Sequence, residues 1–300
     1  MSETCRELVV ISGKGGTGKT SLVASFAALA GKVVLADCDV DAADLHLVLE
    51  PTIQHEEDFS GGKRAVLDPA RCTRCGRCAQ LCRFGAILGQ GDGAGYRIDA
   101  VACEGCGVCA WFCPERAIEM TSAVNGKWYI SDTRHGPMVH AALGIAEENS
   151  GKLVTTVRQR AAALAKDWGL ELILVDGSPG IGCPVIASIT GADLVVIVTE
   201  PTISGLHDLE RVADLAGHFR IPGMVCINKW DLNPEVTDRI EKFARERGLC
   251  VAGRVRYDRA VTDAQVQKLT VVEYQQNACA SDIREVWSRV QGMLADISAT

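Results

Sequence analysis

The chain has 300 residues, 47% of them hydrophobic and 23% charged, with a formal net charge of −7 at pH 7. That length supplies one large core, or a core with a small satellite, and mild acidity gives no reason to expect nucleic acid or an anionic membrane as the main partner. The opening MSETCRELVVISGKGG lacks the basic stretch, apolar run and small-residue site of a signal peptide, and no apolar stretch of about 18 residues exists to span a membrane, so a cytoplasmic location is expected.

Glu7 to Ile11 is a short, β-branched apolar run that enters a glycine-rich turn and then an apolar-periodic stretch from Lys19 to Ala30, a strand–loop–helix pattern. Lys32 to Ala36 reads as a second buried strand. From about Pro51 the pattern fails, and residues 61 to 120 are Gly- and Cys-rich with no long periodic element. Alternation resumes near Asn149, where Ser150 or Asn149 is the expected cap of a helix over Leu153–Lys166. Strands are predicted at Leu170–Val175, Leu194–Val198, Met224–Ile227 and Val251–Val255, with helices at Cys183–Thr190, Ser204–His218 and Pro234–Arg247 between them. In the tail, Ile283, Val286, Trp287, Val290, Leu294 and Ile297 fall at helical spacing and mark a core-facing stripe. Apolar runs alternating with helices predict an α/β fold, with a mostly parallel sheet covered on both faces. The Cys-rich piece therefore interrupts one α/β domain.

Fourteen cysteines are present, and eight fall in two tight runs. Without an export signal, such runs read as metal ligands and not as disulfides. Cys72, Cys75, Cys78 and Cys82 form C-x2-C-x2-C-x3-C, and Cys103, Cys106, Cys109 and Cys113 repeat it, followed by Pro114. The repeat extends outward: Asp68 matches Asp99, and Ala86-Ile87 matches Ala117-Ile118. Zinc favours pairs of C-x2-C units with a longer spacer, so the spacing points to two 4Fe–4S clusters. It resembles the two-cluster bacterial ferredoxins, in which the fourth thiolate crosses to the other cluster. The resemblance implies one cluster on Cys72, Cys75, Cys78 and Cys113, and a second on Cys103, Cys106, Cys109 and Cys82. One departure is Arg83, which stands after Cys82 where that family often has proline; it is expected to set the two clusters at different potentials. Of the other cysteines, Cys38, Cys226 and Cys250 are expected to be buried apolar residues.

Gly13-Lys14-Gly15-Gly16-Thr17-Gly18-Lys19-Thr20 fits G-x-x-x-x-G-K-[ST]. Glycines let backbone N–H groups close on phosphate oxygens, and the following helix points its positive end at the anion. Lys19 is expected on the β/γ-phosphates and Thr20 on Mg²⁺. The buried run Leu172-Ile-Leu-Val-Asp176 ends in an acid suited to hold Mg²⁺, and Asp37-Cys-Asp39-Val-Asp41 ends the second strand. Strand-end capping is the alternative role for Asp39 and Asp176.

The run with its extra lysine, Lys14, resembles the deviant Walker ATPases, the group of MinD, ParA, Mrp and the nitrogenase iron protein. The resemblance implies an ATP-sandwich homodimer in which Lys14 reaches the partner's nucleotide, with Lys14, Lys19, Asp39 and Asp176 as catalytic residues. Asp39 would orient water, and Ser178-Pro179-Gly180 would be a switch. Gly177 follows Asp176, so no adjacent glutamate acts as base, and slow turnover is expected. Asn228 of Asn228-Lys229-Trp230-Asp231 corresponds to an adenine contact, and Asp258 to a base-proximal loop, although Arg256 replaces a common proline there. Cys183 falls at the spacing of a bridging-cluster cysteine of the nitrogenase iron protein, with no second to match. A P-loop ATPase domain is thus expected over 1–58 and 124–300, with a ferredoxin-like α+β insert over 59–123. Three functions are consistent with these parts: an ATP-gated electron-transfer protein with a redox or metal-cofactor partner, an iron–sulfur carrier of Mrp type, or a positioning ATPase with structural clusters.

Overall fold

The computed structural model describes residues 5–91, 94–144 and 150–298. Tertiary contacts divide it into two compact units. One holds the described residues of Met1–Glu56, Trp128–Ala142 and Ser150–Thr300, and the other those of Glu57–Lys127 and Leu143–Asn149. The expected helix cap at Asn149 lies outside the described residues.

The first unit opens with β1 (Arg6–Ser12), α1 (Lys19–Ala30), β2 (Val34–Asp37), α2 (Leu45–Leu49) and β3 (Thr52–Phe59). It resumes through β8 (Gly126–Thr133) and β9 (Gly136–Leu143), after the elements of the second unit. Then follow α5 (Ser150–Trp168), β10 (Leu172–Pro179), α6 (Cys183–Ile189), β11 (Leu194–Thr199), α7 (Ile203–His218), β12 (Gly223–Asn228), α8 (Pro234–Glu246), β13 (Cys250–Val255), α9 (Ala260–Val266), α10 (Val271–Tyr274) and α11 (Ala278–Ser298). The strands form one sheet in the order β13-β12-β11-β1-β10-β2-β9-β8-β3, parallel from β13 to β9. Central strands are continuous apolar runs because helices cover both faces; every residue of β11 is buried. Phe26 of α1, fully buried, packs on Trp287 of α11 at 5.1 Å between ring centroids. Ile283, Val286, Val290 and Leu294 complete that stripe as its spacing predicts.

Two expectations need correction. The stretches 52–59 and 126–143, where the apolar pattern fails, form three further strands of the main sheet. Their side chains are mixed because cover thins toward the edge of the sheet: seven of the eight residues of β3, the outermost strand, are exposed. Cys250 is exposed, whereas Cys38 and Cys226 are buried. It opens the edge strand β13, where cover is incomplete.

The second unit contains β4 (Gly62–Leu67), α3 (Arg77–Leu81), β5 (Ile87–Gln90), β6 (Gly95–Ile98), α4 (Val108–Trp111) and β7 (Ile118–Ala123). Antiparallel β4–β7 and β5–β6 each pair a strand from one half-repeat with a strand from the other. Left-handed residues recur at matched places, Arg74 with Gly105, Gly76 with Gly107 and Gly85 with Arg116. The amide of Asp68 donates to the Ala117 carbonyl and that of Asp99 to the Ala86 carbonyl, both at 2.7 Å. The sequence repeat is therefore a repeat of backbone. Among the described residues, no helix is long and apolar enough to cross a membrane.

Arg134, in the β8–β9 turn, grips both Glu273 carboxylate oxygens at 2.8 Å and donates to the Val48 carbonyl. Glu273 also closes a capping box with Thr270 at the start of α10. Burial would raise the Glu273 pKa, but Arg134 and the Thr270 donors hold it down to about 2, against an ordinary 4.5. A depressed carboxylate stabilises the fold above its unfolded pKa, and that contribution is lost as pH falls through the folded one. Glu273→Gln should therefore lower stability at neutral pH and flatten the loss between about pH 4.5 and 2. Denaturant midpoints measured across that range check it; parallel curves for the two proteins would refute it.

Candidate functional site: a phosphate loop and two cysteine cavities

β1 delivers the loop Gly13–Gly18 to the carboxyl edge of the sheet, and α1 starts at Lys19. The turn needs Gly18: its φ is +86°, and a Cβ there would lie 2.3 Å from the Asn228 amide nitrogen. β2 and β10, on the same side of β1, end in Asp37 and run through Asp176. Parallel strands bring these ends together, as the topology of such sheets requires.

Lys19 and Asp176 are both buried, and Lys19 Nζ lies 2.5 Å from Asp176 Oδ1 and 3.4 Å from Asp39 Oδ2. Thr20 Oγ1 donates to Asp176 Oδ2 at 2.7 Å. Burial disfavours the Lys19 ammonium, yet Asp176 and Asp39 outweigh it and raise the pKa above the ordinary lysine value. Asp37 is fully buried and accepts from the amides of Asp39 and Leu45. Burial, then the Asp176 charge, pushes its pKa well up, and burial raises that of Asp39 against the pull of Lys19. Four predicted residues thus meet: Lys19, Thr20, Asp39 and Asp176. Lys19, Thr20 and Asp39 line one cavity of about 860 Å³, with Gly15, Gly16, Thr17 and Gly18, Asn228 and Asp258 also in its wall, and Asp176 is fully buried behind Lys19 and Thr20. That is the size of a small-molecule site. Thr17 Oγ1 is buried in the loop with no hydrogen-bond partner, a donor left for a ligand to satisfy.

Other predicted residues are already committed within the chain. Lys14 Nζ lies 3.5 Å from Glu200 and 3.4 Å from Ser204 Oγ. Asn228 donates its amide to the Thr17 carbonyl at 2.7 Å. Asp258 accepts from the Ala260 amide and from Asn277, both at 2.8 Å, which is the work of a turn residue. Arg256, in place of the proline, pairs with Asp282. Sequence reading missed Glu200, which pairs with both Lys14 and Lys229. The signal was available: a single acid directly follows the buried strand β11 beside the phosphate loop. Cys183, at the start of α6, is exposed.

In the second unit, Cys72, Cys75, Cys78 and Cys113 line one small cavity, with Arg77, Tyr96 and Glu115 in its wall. Cys82, Cys103, Cys106 and Cys109 line another, with Glu104, Phe84 and Val108. Each cavity takes three thiols from one run and the last from the other. Among the described residues, no three His, Cys, Asp or Glu side chains converge as a ready chelate for a metal ion. The thiols share a cavity without closing on one point.

Gly177 explains the absence of an acid next to Asp176. A Cβ there would lie 2.7 Å from Ile11 Cγ2 and 3.0 Å from the Val10 carbonyl oxygen. Gly177→Ala should cost about 1–3 kcal/mol, the usual cost of overpacking a filled core. Urea denaturation reads this, and an unchanged midpoint would refute the close fit.

Residues 8–271 match the CobQ/CobB/MinD/ParA nucleotide binding domain. The uncharacterized protein MJ0578 of Methanocaldococcus jannaschii is 34% identical over 232 residues, 76% of this chain and 79% of the relative. The fold resembles MinD of Pyrococcus horikoshii, solved with Mg-ADP (TM-score 0.58, 15% identity, 98% of both chains). It also resembles McdA of Cyanothece, solved as an ATP complex (TM-score 0.57, 14% identity, 98% of this chain and 97% of that one). The chain belongs to the CobQ/CobB/MinD/ParA nucleotide-binding family.

Proposed function

We propose that this ATPase carries two 4Fe–4S clusters in the insert of residues 59–123 and uses its nucleotide state to gate electron transfer to a partner redox protein. The observation that carries the reading is the sorting of eight cysteines into two cavities, three from one run and one from the other in each. Paired cubanes exchange ligands in this way. The donor chemistry fits: four thiols per cavity, with the Arg74 amide 3.4 Å from Cys72 Sγ and the Ala117 amide 3.2 Å from Cys113 Sγ. Such N–H donors to sulfur tune potential. Each cluster, when bound, would supply a one-electron couple.

The phosphate-loop cavity suits ATP with Mg²⁺, as the nucleotide complexes of the Pyrococcus and Cyanothece proteins support. Thr20 and Asp176 would hold the metal, with Asp39 placed to orient water. In the structure Lys19 answers Asp176 and Asp39; arriving phosphate competes for that ammonium and frees the carboxylates to face a cation. Lys14 would leave Glu200 and Ser204 to reach the nucleotide of a second copy, giving an ATP-bridged homodimer. The chain passes from the Asp37–Asp41 segment through α2 and β3 into the insert, so strain at this switch has a direct covalent path toward the cysteines.

Anaerobically reconstituted protein should bind about eight irons per chain, four per cluster, and give reduced-cluster electron paramagnetic resonance signals. Zinc in place of iron, or no more than two irons, would overturn the cluster reading. Lys19→Ala should abolish ATP binding while keeping the iron. Electron transfer to a dye acceptor should differ between ATP and ADP states by about fivefold or more, the scale of ordinary coupling; equal rates would remove the gating.

A further inference from the structure

The two cysteine runs share a spacing but not their surroundings. From Arg71 to Arg83 the charged residues are Arg71, Arg74, Arg77 and Arg83, with no acid among them, whereas Glu104 is the only charge between Cys103 and Cys113. The cavities inherit the contrast. Arg77, together with Glu115, lines that of Cys72, Cys75, Cys78 and Cys113, and Glu104, with no basic residue, lines the other. Arg71 donates to the carbonyl of Glu115, a wall residue of the first cavity, at 3.2 Å. Arg74 stands between Cys72 and Cys75 and holds a left-handed backbone, φ +60°, where the matched position of the other half is glycine. Arg71, Arg74, Arg77 and Cys75 are all exposed.

The same face carries aromatic surface. The Arg77 guanidinium lies over the Phe112 ring at 5.7 Å from its centroid. The neighbouring Trp111 is 84% exposed. Repeat symmetry is broken at these places: the counterparts of Arg77 and Trp111 are Val108 and Gln80. An exposed tryptophan next in sequence to the ring that Arg77 covers has the composition of an interface centre.

We propose that this arginine-rich face, at the mouth of the Cys72/Cys75/Cys78/Cys113 cavity, docks an acidic one-electron carrier protein. The inference rests on the cluster reading of the preceding subsection and adds the site and charge of the partner. Charge complementarity selects the occupant. A chain of net charge −7 repels an acidic protein over most of its surface, so a local cluster of guanidiniums both attracts such a partner and fixes its orientation. Arginine stays charged at every working pH. In the docked pair the donor thiolate loop, with Cys75 exposed, faces the carrier directly.

The test uses the full-length, iron-loaded chain and two probes, an acidic flavodoxin and basic cytochrome c, in surface plasmon resonance at low and physiological salt. Flavodoxin should bind and cytochrome c should not. Changing Arg71, Arg74 and Arg77 together to Gln should weaken flavodoxin binding at least about tenfold and flatten its salt dependence, with Lys replacements restoring most of it. Arg71→Glu, at a residue outside the cavity wall, should weaken binding several-fold with iron content unchanged, and it serves even where the triple variant loads poorly. Iron-loaded protein that ignores flavodoxin, or variants that bind it as the unaltered chain does, would overturn the docking proposal. An unaltered chain that takes up no iron would overturn the cluster reading beneath it, a separate result read from metal content alone.

Discussion

One buried ammonium organises the nucleotide end of this protein. Lys19 lies within reach of Asp176 and Asp39, with Asp37 fully buried beside them. Three carboxylates around one lysine cannot all be comfortable away from water, and burial raises the pKa of both Asp37 and Asp39. Lys19 starts α1, Asp37 ends β2 and Asp176 belongs to β10, so this one cluster ties the phosphate loop to the two neighbouring strand ends. Ser178 adds a further tie, donating to the Cys38 carbonyl at 2.6 Å. A ligand that draws Lys19 away changes what holds Asp39 and Asp176.

The second constraint is covalent. An eight-cysteine repeat must fold on itself before its fourth thiols can reach the opposite cavities. The insert achieves this with two short antiparallel pairs, β4–β7 and β5–β6, each built from both halves. Little of the unit is deeply buried: α3 and α4 have no buried residue. A unit this small gains little from apolar burial.

Legibility followed burial. Strands covered on both faces, such as β1 and β11, announce themselves as apolar runs, and α7, α8 and α11 carry clear helical periods. β3, β8 and β9 do not, because cover thins toward the edge of the sheet, most of all at β3, and polar residues such as His55, Glu56, Asp132 and His140 interrupt the apolar runs. Cys250 misled for a related reason: its neighbours are apolar, but it stands first on the edge strand. Asn228 and Asp258 lie in the cavity wall, yet both spend their polar atoms on the chain itself. A sequence shows that a polar residue ends a strand; it does not show which backbone group that residue already answers.

Sequence alone determined the chemistry available here. The phosphate loop and the two cysteine runs are local patterns, written in residue spacings that no distant contact can alter. Tertiary structure decided the pairings between distant parts: that Asp176 answers Lys19, that Glu200 holds Lys14 and that Gly177 has no room for a side chain; it also puts the fourth thiol of each run in the other run's cavity, the crossing that the resemblance implies. These depend on which strands lie side by side and on how two half-repeats interlock. Both are set by the packing of segments far apart in the chain, so no window of sequence contains them.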